Sequence, residues 1–244
     1  MSEIRGGTDF EQWLYRLDSG QEAALSPVLT MRITLRVLPG LCAISGGLDG
    51  EDNWRERVTL SIARASSALW LSCIDATNAP RLRNIAFVSS AQAASIVSGL
   101  QNRGLRDCGD SFAFAAAGAV YAVYAVNDAT TGRPAGEIAY TACSALSAIL
   151  GPAPAFERQA VFWAALDADI GLIEAGVDAQ SLATAPVWGT IIDIKAVQPE
   201  LSGLIGKLRA VFSARHRRWD AWVDWYEARL AGGPTGYCSL GKSS

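Results

Sequence analysis

Four aromatic residues near the C-terminal end of the chain place the tightest constraint on its fold. Trp219, Trp222, Trp225 and Tyr226 are separated by intervals of three and four residues, so they share one stripe of a helix. Such a stripe must be covered, either by the rest of the fold or by a partner. The pattern predicts a helix from about residue 218 to 231, ended by Gly232 and Gly233.

Two interpretations of this stripe remain open at the sequence level. Trp and Tyr anchor many protein interfaces, which makes the helix a candidate recognition surface. Aromatic residues of an amphipathic helix also commonly close the core of a bundle. Charged side chains lie on the stripe or beside its edge. The candidate interface residues are Trp219, Trp222, Asp224, Trp225, Tyr226, Glu227 and Arg229.

Helical periodicity extends along most of the 244 residues, half of which are hydrophobic. The pattern predicts an all-α fold, an irregular bundle of eight to nine helices with Ala-rich helical hairpins. We expect a single domain, 1–244, with a weak seam near residues 104–109. The predicted helices cover approximately residues 9–17, 26–38, 51–75, 82–100, 111–127, 136–150, 155–175, 199–212 and 218–231.

Local signals predict where several of these helices begin and end. Residues 8–11 read Thr-Asp-Phe-Glu, a capping box that predicts a helix start at Asp9. Ser26 followed by Pro27 predicts an N-cap with Pro at the first helical position. Gly176 is expected to end the helix before it. Residues 181–197 are expected to be irregular, with the run Pro-Val-Trp at 186–188 inserting into the core.

The order of features in the second half resembles a known group of proteins. An Ala-rich helix around 121–125 is followed by Phe-Trp-Ala-Ala-Leu-Asp at 162–167, Pro-Val-Trp at 186–188 and the Trp-rich ending at 219–232. This order is similar to that of uncharacterised proteobacterial helical proteins with a C-terminal Trp-x-x-Trp-x-x-Trp-Tyr-Glu-x-Arg-Leu-x-Gly motif. The resemblance covers about residues 111–232 and extends more faintly to 32–38. It implies a helical fold and supplies no reaction.

Composition argues against several classes of site. The net charge is −3, which creates no field favouring nucleic acid, so no nucleic-acid partner is expected. His216 is the only histidine, and the five cysteines form no CxxC pair; we therefore expect no metal site and no cofactor. The glycine clusters at 46–50 and 104–109 spell neither GxGxxG nor a P-loop, and the chain contains no Gly-x-Ser-x-Gly. Scattered cysteines and the lack of a signal-peptide pattern predict a cytoplasmic protein.

Two charged clusters provide weaker candidates. Arg215, Arg217 and Arg218 precede the aromatic helix and would bind a phosphate, or form a solvated turn. Asp167 and Glu174 share a helix face, whereas Asp169 is expected to point elsewhere. These acids are interpreted as surface charge or as hydrogen-bond partners of the aromatic helix. No residue is assigned a catalytic role.

A sixteen-residue apolar run at 111–126 is the longest in the chain. It is shorter than the roughly 20 residues needed to cross a bilayer, so we interpret it as a buried core helix with no stable membrane span. The alternative is a membrane-acting effector that releases this segment.

Together these patterns predict a non-enzymatic interaction or adaptor module of a bacterial system, with a protein partner or self-association. An alternative is an enzyme whose cleft holds Asp167, Glu174, Arg229 and a Trp. Self-association through Ala-faced helices across a two-fold axis is a further alternative.

Overall fold

The structure, a computed structural model, describes residues 4–38, 54–101, 123–131, 133–149, 155–188 and 218–232. For 54–56, 99–101, 146–149, 155–158 and 218–220 the description covers the backbone alone. Helices are the only regular structure within these ranges, which confirms the all-α prediction. They are α1 (Gly7–Leu14), α2 (Ser19–Val37), α3 (Trp54–Ile74), α4 (Ala79–Gln101), α5 (123–131), α6 (Ala135–Ile149), α7 (Ala155–Glu174), α8 (Ala179–Thr184) and α9 (Arg218–Ala231).

Helix α2 lies at the centre of the bundle. Every residue from Val28 to Val37 is buried, as expected for a helix covered on all sides. It packs against α3, α6, α7 and α8. The helix ends at Val37, before Pro39, as predicted.

The predicted start of α2 at Ser26 is wrong. The N-cap is Asp18, eight residues before Ser26, and it forms a capping box: its Oδ1 accepts hydrogen bonds from the backbone N–H groups of Gly20 (2.9 Å) and Gln21 (2.8 Å). The Gln21 side chain in turn accepts from the backbone N–H of Asp18. Reciprocal capping of this kind satisfies two backbone N–H groups that have no partner within the helix, and Pro27 lies inside α2.

The N-terminal helix α1 presents the predicted face. Phe10, Trp13 and Leu14 are buried, and Leu17 packs partly against the same core. The predicted capping box at residues 8–11 does not form, because α1 begins at Gly7 with no side-chain cap. Asp9 instead accepts a hydrogen bond from the backbone N–H of Arg5 at 3.0 Å.

Helices α3 and α4 pack along each other over much of their length. The fully buried positions of α4 are Ala86, Ser90, Ala93 and Val97, spaced by four, three and four residues. They form a helical stripe of mostly small side chains. Small residues at a helix contact permit a short interaxial distance.

The segment between α7 and α9 is more ordered than predicted. Residues 179–184, part of which was expected to be irregular, form α8, whose start is capped by Asp178 Oδ1 accepting from Ser181 N at 2.7 Å. Val187 and Trp188 are buried, as the sequence indicated. Gly176 and Gly232 follow α7 and α9 with φ of +91° and +71°, the left-handed conformation typical of glycine after a helix.

Several predictions fall outside the described residues. These are the helix at 199–212, the seam at 104–109 and most of the apolar run at 111–126. Among the helices that the structure describes, none is long and apolar enough to cross a membrane.

Candidate functional site

Two arginines of the central helix share one aspartate in the interior. Arg32 and Arg36 lie one turn apart on α2, and Asp169 faces them from α7. Arg32 contacts the carboxylate in bidentate geometry, Nε to Oδ2 at 3.0 Å and Nη2 to Oδ1 at 2.7 Å. Arg36 Nη2 donates to Oδ2 at 2.7 Å. All three side chains are almost completely buried, so this is an interior ion cluster with more positive than negative charge.

The single carboxylate of Asp169 does not balance two guanidinium charges, and backbone carbonyls contribute additional partial negative charge. Arg32 Nη1 donates to the carbonyls of Leu182 (2.9 Å) and Ala185 (2.8 Å), at the C-terminal end of α8. Arg36 donates to the carbonyl of Val187 from Nε at 3.0 Å and from Nη2 at 2.7 Å. Carbonyls at a helix C-terminus carry partial negative charge and lack intrahelical donors. The two guanidinium groups therefore hold the 182–187 segment against α2 and α7; we name this set of contacts the arginine network.

Burial has a direct electrostatic effect in this network. Desolvation lowers the pKa of the Arg36 guanidinium, Asp169 raises it, and Arg32 lowers it again by repulsion. Arg36 also lies over the ring of Trp188, with its central carbon 5.9 Å from the ring centroid, an attractive cation–π geometry. The Arg36 Nη1 and Trp188 Nε1 atoms have no hydrogen-bond partner among the described residues.

The aromatic stripe of α9 is packed inside the chain. Trp222, Trp225 and Tyr226 are all buried. The rings of Trp222 and Tyr226 stack at 5.6 Å between centroids, and Trp225 meets Trp70 of α3 edge to face at 5.9 Å. Of the two interpretations of this stripe, the burial of these three rings agrees with a position in the core.

Tyr226 provides a hydrogen-bond donor for a backbone carbonyl of α2. Its hydroxyl donates to the carbonyl of Leu35 at 2.9 Å. In an α-helix that carbonyl would accept from the residue four positions later, which is Pro39 and has no N–H. The tyrosine therefore satisfies a buried acceptor that α2 cannot satisfy itself.

The charged candidates on α9 have different surroundings. Arg229 is buried, with its guanidinium carbon 4.6 Å from the centroid of the Trp70 ring. Its carbonyl accepts a hydrogen bond from Val187 N at 3.3 Å, which joins α9 to the segment held by the arginine network. Asp224 is exposed and Glu227 is half-buried. The side chain of Trp219 lies outside the described part of the chain.

The acidic set of α7 is distributed differently from the prediction. Asp169, expected to point elsewhere, is the buried centre of the arginine network, so its interpretation as surface charge is wrong. Asp167 Oδ1 accepts from the backbone N–H of Ile4 at 3.1 Å, and Glu174 Oε1 accepts from Trp13 Nε1 at 3.3 Å. These two acids bind the N-terminal segment. No contact between described residues joins either of them to Arg229.

Other reactive groups of the described residues do not assemble into a site. Burial raises the pKa of the Cys73 thiol to about 11, which disfavours the thiolate needed for nucleophilic attack. Within the described ranges no group of three His, Cys, Asp or Glu side chains is arranged to hold a metal ion. Of the basic cluster, Arg215 and Arg217 lie outside those ranges, and Arg218 is described only as backbone.

Large apolar side chains are exposed on α4 instead. Ile85, Phe87 and Val88 have exposed fractions of 41%, 45% and 58%, and Arg81, one turn before Ile85, is exposed as well. Arg81, Ile85 and Val88 share the face of α4 opposite the buried stripe, and Phe87 lies on the flank of that face. We name these four residues the α4 surface.

No protein-family model, curated protein or solved structure matches the chain.

Sequence reasoning missed both the arginine network and the α4 surface. Arg32 and Arg36 are four residues apart in an otherwise apolar stretch, Met31 to Leu38, and charges in such a stretch signal a paired interior cluster. The α4 surface had a weaker signal: the small residues Ala86, Ser90 and Ala93 repeat at helical spacing as regularly as the large ones do.

Proposed function

We propose that this chain is a non-enzymatic protein-interaction or adaptor module, and that the α4 surface binds an apolar, acidic segment of a protein partner. The observation that supports this function is the exposure of Ile85 and Val88 on one face of α4, with Phe87 exposed on the flank of that face. Scattered exposed apolar residues are ordinary on a protein surface, whereas contiguous ones commonly mark binding sites.

The charge of α4 favours an acidic partner. Residues 79–101 contain Arg81 and Arg83 and neither Asp nor Glu. A partner segment carrying carboxylates beside apolar side chains would complement this surface in both respects. A second copy of the chain would instead bring like charges together, which opposes self-association through α4.

The α9 stripe is the weaker interface candidate because its rings are already used within the fold. Trp222 contacts both Trp225 and Tyr226, and Trp225 contacts Trp70. Exposing them to a partner would remove that burial. The enzyme alternative has less support, since Asp167 and Glu174 contact Ile4 and Trp13 rather than Arg229.

Site-specific photo-crosslinking tests this function. A benzoylphenylalanine is placed at Phe87 in one variant and at Tyr140, a residue of α6 with an exposed fraction of 69%, in the control. We expect a crosslinked partner at position 87 and not at 140. The purified partner should then bind the wild-type chain and Tyr140→Glu, but bind Val88→Glu at least about tenfold more weakly, since the substitution places a charge in the apolar contact.

Two results would overturn the proposal. One is that position 87 crosslinks only to a second copy of the chain, with a dimer in light scattering that Val88→Glu dissociates. The other is that the purified partner binds Val88→Glu and Tyr140→Glu with the same affinity as wild type. Weaker binding at higher salt would support the acidic character of the partner.

A further inference from the structure

A small cleft separate from the α4 surface opens between α2, α3, α4 and α5. Its volume is about 200 Å³, below the roughly 300–1,000 Å³ of pockets for drug-sized ligands. At about 30 Å³ per water in the liquid, it holds the equivalent of six or seven waters. The cleft therefore suits a small molecule rather than a nucleotide or a peptide.

The cleft contains two arginines in different electrostatic situations. Arg133 is already paired, with Nε 3.3 Å from Asp128 Oδ1 and Nη1 3.0 Å from Glu137 Oε2. Arg83 forms no ion pair or hydrogen bond with any described residue, yet it lines the same cleft. A guanidinium at a cleft wall without a carboxylate is a ready partner for an anion.

The remaining lining is part apolar and part hydroxyl. Pro27, Leu69 and Ala129 provide apolar walls, and Ser26 and Thr30 add hydroxyl groups that make no hydrogen bond within the described residues. Burial raises the pKa of Asp128, and Arg133 partly opposes this effect. Asp128 also pairs with Arg133 at this end of the cleft, so a carboxyl group already lies there. A second negative charge on a ligand would be repelled there.

We propose that this cleft binds a small organic monocarboxylate with an apolar body. The carboxylate pairs with Arg83 and accepts from the hydroxyl groups, while the apolar body lies against the Pro27, Leu69 and Ala129 wall. A monocarboxylate is favoured over phosphate because one guanidinium is available, the walls are largely apolar and Asp128 is close.

Isothermal titration calorimetry with benzoate tests the proposal. Benzyl alcohol serves as the neutral probe of similar size, and inorganic phosphate as the second anion. The variants are Arg83→Gln and the matched control Arg81→Gln, which changes an exposed arginine of the same helix that does not line the cleft. A third variant, Ala129→Leu, fills the cleft without changing charge. Circular dichroism and thermal unfolding verify that each variant is folded.

We expect benzoate to bind the wild-type chain. Arg83→Gln should lower the affinity for benzoate at least about tenfold, because it removes a charge-assisted hydrogen bond. Arg81→Gln should stay within about twofold, and Ala129→Leu should abolish binding. The proposal is overturned if benzoate gives no heat, if phosphate or benzyl alcohol binds as tightly, or if both arginine variants lose affinity equally. Benzoate binding that Val88→Glu leaves unchanged would show that the cleft and the α4 surface act independently.

Discussion

Helices α9 and α4 are both amphipathic, but they place their large apolar residues on opposite sides. In α9, Trp222, Trp225 and Tyr226 lie inside the fold. In α4 the buried stripe consists of mostly small residues, and Phe87 and Val88 face outward. This difference shows that the size of a side chain, as well as its hydrophobicity, decides whether it is buried. Where two helices pack closely, the contacting face favours small side chains.

The side of the molecule around α9 is also the side that contains the interior charges. Val187 connects the two: its N–H donates to the carbonyl of Arg229 in α9, and its carbonyl accepts from Arg36. A backbone hydrogen bond therefore joins α9 to the segment held by the arginine network, whereas no hydrogen bond between described residues links α4 to that segment. We therefore expect substitutions around α9 to change the free energy of unfolding, and substitutions on the α4 surface to change partner binding.

The largest effect is expected from Asp169→Asn. It removes the one carboxylate shared by Arg32 and Arg36, and breaking a buried ion cluster by removing one partner costs roughly 3–5 kcal/mol. The matched control, Asp167→Asn on the same helix, changes a partly exposed acceptor and should cost about 1 kcal/mol. Urea unfolding followed by circular dichroism measures both. Equal losses for the two variants would contradict the arginine network as the determinant of stability.

The next effect compares two glycines with positive φ. A Cβ on Gly232 would lie 2.6 Å from Pro186 Cδ and Cγ, whereas one on Gly176 would meet nothing within 4 Å. Both Ala variants incur the left-handed cost of roughly 1–2 kcal/mol. Gly232→Ala should lose about 1–3 kcal/mol more, because a rigid ring must move.

Thermal and urea unfolding of the two variants provide the comparison. Similar free energies of unfolding for Gly232→Ala and Gly176→Ala would show that the C-terminal end of α9 is not packed on the 186 segment. A larger loss at 232 would place α9 against the loop that the arginine network holds.

A smaller effect is expected from Tyr226→Phe. The ring packing is retained, but the Leu35 carbonyl loses its donor and cannot gain one from Pro39. An unsatisfied buried acceptor costs about 1–3 kcal/mol. Measurement of the free energy of unfolding checks this, with Tyr140→Phe as the exposed control, for which we expect a change within about 0.5 kcal/mol. An unchanged stability for Tyr226→Phe would mean that water reaches the Leu35 carbonyl.

Local patterns were sufficient to predict the fold class and most helices. The α9 bounds of 218–231 were predicted from aromatic spacing and Gly232, and α7 from its periodicity and Gly176. The start of α2 was missed because two capping signals compete in one stretch. The Pro at 27 is conspicuous in sequence, but the Asp18 capping box makes more hydrogen bonds.

The candidate sites were harder to predict because they depend on contacts between distant segments. Asp169 and Arg32 are 137 residues apart, and no local spacing indicates that they meet. Val88 follows Ile85 at a helical spacing of three residues. This spacing is equally compatible with a buried and with an exposed apolar face. The packing of α4 against α3, and the contacts of Ser90 with Asn127 and Thr130 of α5, decide which face of α4 is buried.

The smallest effect on stability, and the largest on binding, is expected from Val88→Glu. Val88 is 58% exposed, so the substitution should change the free energy of unfolding by no more than about 0.5 kcal/mol. Partner binding through the α4 surface should nevertheless fall, because the new carboxylate disturbs the apolar contact and weakens the basic character set by Arg81. Thermal unfolding and titration of the crosslinked partner are measured on the same preparation, with Tyr140→Glu as control. A loss of several kcal/mol in Val88→Glu would show that Val88 belongs to the core, and the contrast between α9 and α4 would fail.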